Sequence, residues 1–218
     1  MNEKKTFGWL VLNAAYTFVS LAVALTASML ARLLCNMVVP VETIARQGGD
    51  YSQNYFFVFP IHGLISAAVF LLVAYIISKK IGFSQGFKHR TTISTIEFVI
   101  QALLAIVVYL FFFVYMCEWW INLPTWYLSG FFAALFNIFD PGNVNQYAAL
   151  LSGEPEPERL YWMYIWLHVV LEAIFLVGSV VLMRVARRKG ENQAIREHKV
   201  QLAELEKEKE RLVNKKSL

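Results

Sequence analysis

Two histidines and one glutamate stand inside long apolar stretches of this sequence, where ionisable side chains are costly. They are His62, His168 and Glu172. Both histidines lie at one depth when their distance from the basic residues that follow each stretch is counted. The count uses a helical rise of about 1.5 Å per residue. Glu172 lies one turn from His168 on the same face. Three kinds of chemistry fit: a haem between two imidazoles, a divalent metal with Glu172 as a further ligand, or a proton relay.

An ordinary packing role fits the same residues. In this interpretation His168 and Glu172 bond to each other, or reach Gln101 or Tyr109 on a neighbouring helix. No cofactor is therefore predicted, and haem or a divalent metal remains the alternative. The full set of intramembrane polar candidates is His62, Glu97, Gln101, His168, Glu172 and Asn13.

A second group of polar residues lies near the outer ends of two predicted helices. The same rise places Arg32 and Glu118 at the outer surface, which predicts an ion pair if their helices touch. Cys35 and Cys117 fall close to that level, so a disulfide between them is possible in an oxidising compartment. Neither cysteine belongs to a C-x-x-C pair, so structural zinc and thioredoxin chemistry are not indicated.

The elements that carry these residues are four long apolar stretches. The sequence is 57% hydrophobic with only 17% charged residues, against about a quarter charged in soluble domains. A membrane-crossing helix needs roughly 20 apolar residues. We predict an all-α polytopic membrane protein. Residues 1–189 form a transmembrane domain, a bundle of four helices, and residues 190–218 form a tail. The predicted spans are Trp9–Leu34, Phe56–Ser78, Ile93–Ile121 and Leu160–Met183.

The basic residues predict the orientation. They cluster at the N-terminus, in the loop 79–91 and after the last span, whereas the connection 123–159 is acidic. Basic loops stay inside, which places both termini in the cytoplasm, and the short loops suit a bacterial inner membrane. The net charge of +4 is explained by these flanks. We therefore expect membrane lipids as partners and not nucleic acid.

Two further helices are predicted outside the spans. Residues 126–139 are apolar but too short to cross, which indicates an interfacial or re-entrant helix on the outer side. The polar tail indicates a cytoplasmic helix, and a short coiled coil is possible because its apolar residues fit a heptad. These heptad positions are Ile195, Leu202, Leu205 and Leu212, with His198 and Lys209 interrupting.

No motif names a reaction. The sequence has no Walker A, no H-E-x-x-H and no potassium-channel filter signature, so we expect a protein that is not an enzyme. The leading hypothesis is a membrane subunit that assembles with itself or with other membrane proteins through its spans and cytoplasmic helix. The alternatives are a transporter or channel subunit for a small solute or ion, and a haem or metal protein that uses His62 and His168.

Overall fold

Four helices make up most of the chain that the computed structural model describes. The described residues are 7–38, 59–89, 94–112, 123–125, 128–129, 132 and 158–216. The helices are α1 (Phe7–Val38), α2 (Phe59–His89), α3 (Thr95–Tyr109) and α4 (Glu158–Lys216). The described segments contain no strand, which confirms the all-α class for this part of the chain.

Each of these helices, α3 together with its helical continuation to Phe112, contains a stretch long and apolar enough to cross a membrane. The stretches are Val11–Val38, Pro60–Phe87, Thr95–Phe112 and Ile165–Glu210. Four such helices fit the predicted multi-pass membrane protein. Residues 113–121 of the predicted third span lie outside the described residues.

The helices expose many large apolar side chains and bury many small and polar ones beside a core of large apolar residues. On α1, Ser20, Ala24 and Ser28 are fully buried at four-residue spacing, whereas Val19 and Val23 are exposed. Lipid is as apolar as leucine, so moving a large apolar side chain from lipid into the protein adds little stability. Small residues instead let two helix backbones approach closely. This distribution is typical of helices that face lipid.

Two helices run further than the sequence predicts. The basic segment after Ser78, predicted as a loop over 79–91, continues α2 as far as His89. The fourth span and the predicted tail form a single helix of 59 residues that passes through Gly190 without a break. The physical reason lies in the packing: a Cβ at Gly82 would overlap the Arg187 carbonyl, and one at Gly190 would overlap the Lys79 carbonyl.

Helices α2 and α4 pack in parallel along most of the length of α2. The Phe70 and Phe175 rings lie 5.2 Å apart between centroids, Gly82 faces Arg187, and Phe87 meets His198 edge-on. In each of these contacting pairs the residue number on α4 exceeds the residue number on α2 by 105 to 111. Helix α1 contacts α2 and α3, and α3 also contacts α4.

Helix α3 begins at a capping box. The Ser94 hydroxyl accepts a hydrogen bond from the Glu97 backbone N–H, and the Glu97 carboxylate accepts one from the Ser94 backbone N–H. This exchange satisfies two backbone donors that a helix start leaves unpaired. Glu97, predicted as an intramembrane polar candidate, therefore fixes the first turn of α3.

Candidate functional site

A buried network joins α4 to the segment that follows the third span. The Thr125 hydroxyl donates a hydrogen bond to Glu172 Oε2 at 2.6 Å and lies 3.3 Å from His168 Nδ1. The Ser129 hydroxyl lies 3.0 Å from the same ring nitrogen and donates to the Thr125 carbonyl. The side chains of these four residues are almost fully buried. We call Thr125, Ser129, His168 and Glu172 the outer polar site.

The hydrogens of this site can be assigned by counting donors. Thr125 directs its single hydroxyl hydrogen to Glu172, and Ser129 directs its own to a carbonyl. With these hydrogen directions and an ionised Glu172, Nδ1 of His168 is the donor to both hydroxyl oxygens. A protonated Glu172 can instead donate to Thr125, so the tautomer of His168 depends on the charge of Glu172. The hydroxyls of Thr125 and Ser129 fix the orientation of the His168 ring.

The same segment also contacts α2. A Cβ at Gly63 would lie 2.8 Å from the Leu128 side chain, so the absence of a side chain at Gly63 lets Leu128 approach the helix. Leu123 is buried in the apolar core. Residues 128, 129 and 132 are helical, and most of the predicted outer helix 126–139 lies outside the described residues. The described part of this segment thus sits against both parallel helices.

His62 lies at the level of the outer polar site. It is buried on α2, one residue before Gly63, and the α2–α4 register places it beside the turn between His168 and Glu172. Tyr109 from α3 is also buried, close enough to Glu172 to interact with its charge. Among the described residues no group of three or more His, Cys, Asp or Glu side chains is placed to hold a metal ion.

Glu172 has unused bonding capacity. Its Oε2 accepts from Thr125, whereas Oε1 is buried and has no hydrogen-bond partner among the described residues. A buried carboxyl oxygen in this state can bond a proton, a water molecule or a ligand. The arrangement can therefore bind or pass a proton, and it also ties residues 123–129 to α4.

A second buried network, the inner polar site, lies at the basic ends of the helices. Its centre is Arg187, whose side chain is 0% exposed. Its guanidinium donates to the Thr17 hydroxyl at 3.3 Å and to Gln101 Oε1 at 3.5 Å. The guanidinium carbon also lies 5.3 Å from the centre of the Phe98 ring. Arg187 on α4 therefore binds side chains of α1 and α3.

Charge compensation for Arg187 comes from its own helix. Glu191, one turn further, is 0% exposed and lies 3.9 Å from the Arg184 guanidinium. Glu191 also stabilises the charge of Arg187 electrostatically. Two arginines and one glutamate thus form the inner polar site with Thr17, Phe98 and Gln101. Buried charges are tolerated when they are paired in this way.

The two sites are separate. Glu172 and Arg187 are fifteen residues apart on α4, a distance of about 22 Å, and the buried Leu176 and Met183 lie between them. Of the predicted polar candidates, His168 and Glu172 meet in the outer site and Gln101 joins the inner one. Asn13 accepts a hydrogen bond from Gln85 of α2 next to the inner site. Within the described part of the chain these candidates therefore group around two separate sites.

Of the predicted outer ion pair and the predicted outer disulfide, the structure describes one residue each. Arg32 and Cys35 are half-buried near the end of α1. Their predicted partners, Glu118 and Cys117, lie outside the described residues. The ion pair and the disulfide therefore stay predictions.

Four important residues escaped the sequence reasoning. The sequence places Arg187 in the basic flank after the last span and Glu191 in the polar tail. It places Thr125 in the outer connection and Ser129 in the predicted outer helix, and nothing in the pattern singles out any of the four. The spacing Gly82-x-x-x-Gly86 could have signalled close helix packing beyond Lys80, and with it burial of the facing part of α4. Nothing local to Thr125 or Ser129 reveals that they face Glu172 and His168, because that pairing is made by the tertiary fold.

Comparisons with known proteins give no assignment. No protein-family model, no curated protein and no solved structure matches the chain.

Proposed function

We propose that this protein is a non-enzymatic integral membrane subunit that pairs with a second copy of itself through the end of α4. The observation that carries the proposal is the length of α4 beyond its last contact with α2. Helix α2 ends at His89, which the register places near residue 200 of α4. Residues 199–210 are helical and exposed along their whole length.

The part of α4 that extends beyond α2 is exposed over residues 199–210 and presents apolar side chains there that no described residue covers. Val200, Leu202 and Leu205 are 58%, 43% and 53% exposed. Leu202 and Leu205 continue the heptad line of Ile195 and His198, and this line packs against the end of α2 through His198. A helix with an apolar stripe gains most of its stability from packing. Pairing of two such stripes would supply that packing.

The charges of this extension favour a second copy as the partner. Between Lys199 and Arg211 the sequence holds four acidic and four basic residues. Two copies of such a helix carry no net repulsion, and opposite charges can face each other beside an a/d seam. The extension is about 27 Å long, enough for a short parallel pairing that the membrane spans reinforce.

In this proposal the four spans form a bundle with both termini in the cytoplasm. The basic residues at the ends of α2 and α4 support that orientation, and it puts the extension in the cytoplasm. The predicted outer helix 126–139 is then re-entrant, and the described residues Leu123–Thr125 and Leu128–Ser129 at its start are held by the outer polar site. Non-helical backbone is tolerated at membrane depth when protein surrounds it.

Disulfide cross-linking in native membranes tests the pairing. The background variant has Cys35 and Cys117 replaced by serine, and single cysteines are then introduced as Leu202→Cys, Leu205→Cys and Glu204→Cys. A parallel pair brings identical seam positions together, so the first two should form dimers on mild oxidation and Glu204→Cys should form few. Equal cross-linking at all three positions, or none, contradicts the proposal. Cross-links to a different protein identify a hetero-assembly instead.

Proton or ion transport is the second candidate function, and the outer polar site favours it. A buried carboxyl with an unused oxygen, close to a buried histidine that shares its hydroxyl partner, has the groups that a proton path needs. In reconstituted vesicles Glu172→Gln should abolish proton flux, and Glu97→Gln, a change at the α3 cap, should preserve it. Absence of flux through the unmodified protein excludes this function under the conditions tested.

A further inference from the structure

A groove on the membrane-facing side of α2 and α4 lies where the two helices leave their most apolar region. Its volume is about 570 Å³. Its lining comes from α2 and from one residue of α4: Tyr75, Ile76, Lys79, Lys80, Phe83 and Gln193. Lys189 borders it, because its ammonium group lies 5.8 Å from the centre of the Tyr75 ring. The described lining contains no acidic side chain.

Both helices beside this groove change from apolar to basic in the same direction. On α2 the exposed Leu72 and Ile76 are followed at four-residue spacing by Lys80. On α4 the exposed Val181 and Val185 are followed at the same spacing by Lys189. Residues four apart share a helix face, and the two helices are parallel. The apolar strip on α2, formed by Leu72 and Ile76, therefore leads to Lys79 and Lys80 at the groove, with Lys189 at its border.

We propose that this groove binds an anionic phospholipid. The phosphodiester lies among the three lysines, and one acyl chain lies along the apolar strip formed by the residues before them. Basic pockets between helices on the cytoplasmic side of a membrane protein are suited to such headgroups. A phosphatidylcholine headgroup carries its own cation and gains little from three lysines. The groove therefore distinguishes lipids by headgroup charge.

Lipid retention on the full-length protein tests this proposal. The protein is purified from vesicles of equal parts phosphatidylglycerol and phosphatidylcholine, and bound lipids are counted by native mass spectrometry. The native chain should retain phosphatidylglycerol preferentially. Replacing all three lysines by glutamine should weaken that binding on the order of 100-fold, since each lysine near the surface contributes about 1 kcal/mol, roughly a factor of five. A matched triple variant in the α4 extension, with Lys199, Lys207 and Lys209 replaced by glutamine, should retain it.

A second variant guards against a trivial loss of folding. Ile76→Trp keeps every lysine and puts a bulky ring where the acyl chain would lie, so it should also weaken phosphatidylglycerol binding while keeping the thermal stability of the native chain. Equal retention of both lipids by the native chain overturns the proposal, as does full retention by the lysine triple variant or by Ile76→Trp. Stabilisation by inorganic phosphate in pure phosphatidylcholine, equal to that given by phosphatidylglycerol, would show that a free phosphate is the ligand and overturn it as well.

Discussion

Replacing Gly82 by alanine should destabilise the protein although alanine is the better helix former. The added Cβ would overlap the Arg187 carbonyl and lie 2.8 Å from the Arg187 Cα. These are backbone atoms of α4, which cannot rotate away as a flexible side chain can. The two helices must separate where Arg187 and Glu191 are buried, so the change also disturbs the inner polar site.

The size of the effect follows from two opposing contributions. Alanine gains about 1 kcal/mol of helix propensity over glycine. Overpacking costs typically about 1–3 kcal/mol, and the upper end applies because the overlap is with backbone. The net loss is about 2 kcal/mol, which corresponds to about 4–8 °C in melting temperature for a chain of this length.

Gly178→Ala is the matched control. It makes the same substitution inside α4, at a glycine with nothing within 4 Å of the added Cβ. Melting of the detergent-purified variants, followed by size-exclusion chromatography after heating, measures the difference. Gly178→Ala should melt at or slightly above the native temperature and Gly82→Ala clearly below it. Equal melting of the two variants would refute the close approach of α2 and α4.

Three further changes test the buried polar groups and the α3 cap. Glu191→Leu removes the acidic partner of two arginines and should lower the free energy of unfolding by about 3–5 kcal/mol. Gel filtration should then show a loss of folded protein. The control Glu204→Leu changes an exposed residue and should alter that free energy by less than about 0.5 kcal/mol. Thr125→Val removes the donor to Glu172 and should cost about 1–3 kcal/mol in a thermal melt; an unchanged melt contradicts the network. Ser94→Ala removes the α3 cap and should cost about 1 kcal/mol, with no effect on lipid retention.

The sequence predicts the membrane class because long apolar runs dominate its local physics. Helix ends are harder to predict, and α2 shows why. Lys79 and Lys80 normally indicate the end of a span, and Gly82 and Gly86 normally weaken a helix. Here the glycines instead provide the space in which α4 packs, so helix α2 continues to His89. That gain depends on a helix more than a hundred residues away, which no local pattern reports.

The polar sites show the same limit. The sequence predicts that His168 and Glu172 form hydrogen bonds inside the protein, because charged and imidazole groups in a span need them. Their actual partners, Thr125 and Ser129, come from a segment whose sequence fits a surface loop equally well. The basic neighbours of Arg187 predict that it is exposed to solvent. It is buried instead, because Gly82 lets the α4 backbone come close to α2. Contacts between distant segments decide both cases.

Self-association through α4 is measured most directly by the mass of the full-length protein in mild detergent, determined by native mass spectrometry. The native chain should appear at the mass of two chains. Leu202→Glu combined with Leu205→Glu puts charges on the seam and should give the mass of one chain, with the melting temperature of the membrane domain unchanged. A single-chain mass for the native protein, or a two-chain mass that survives both substitutions, would contradict pairing through the extension.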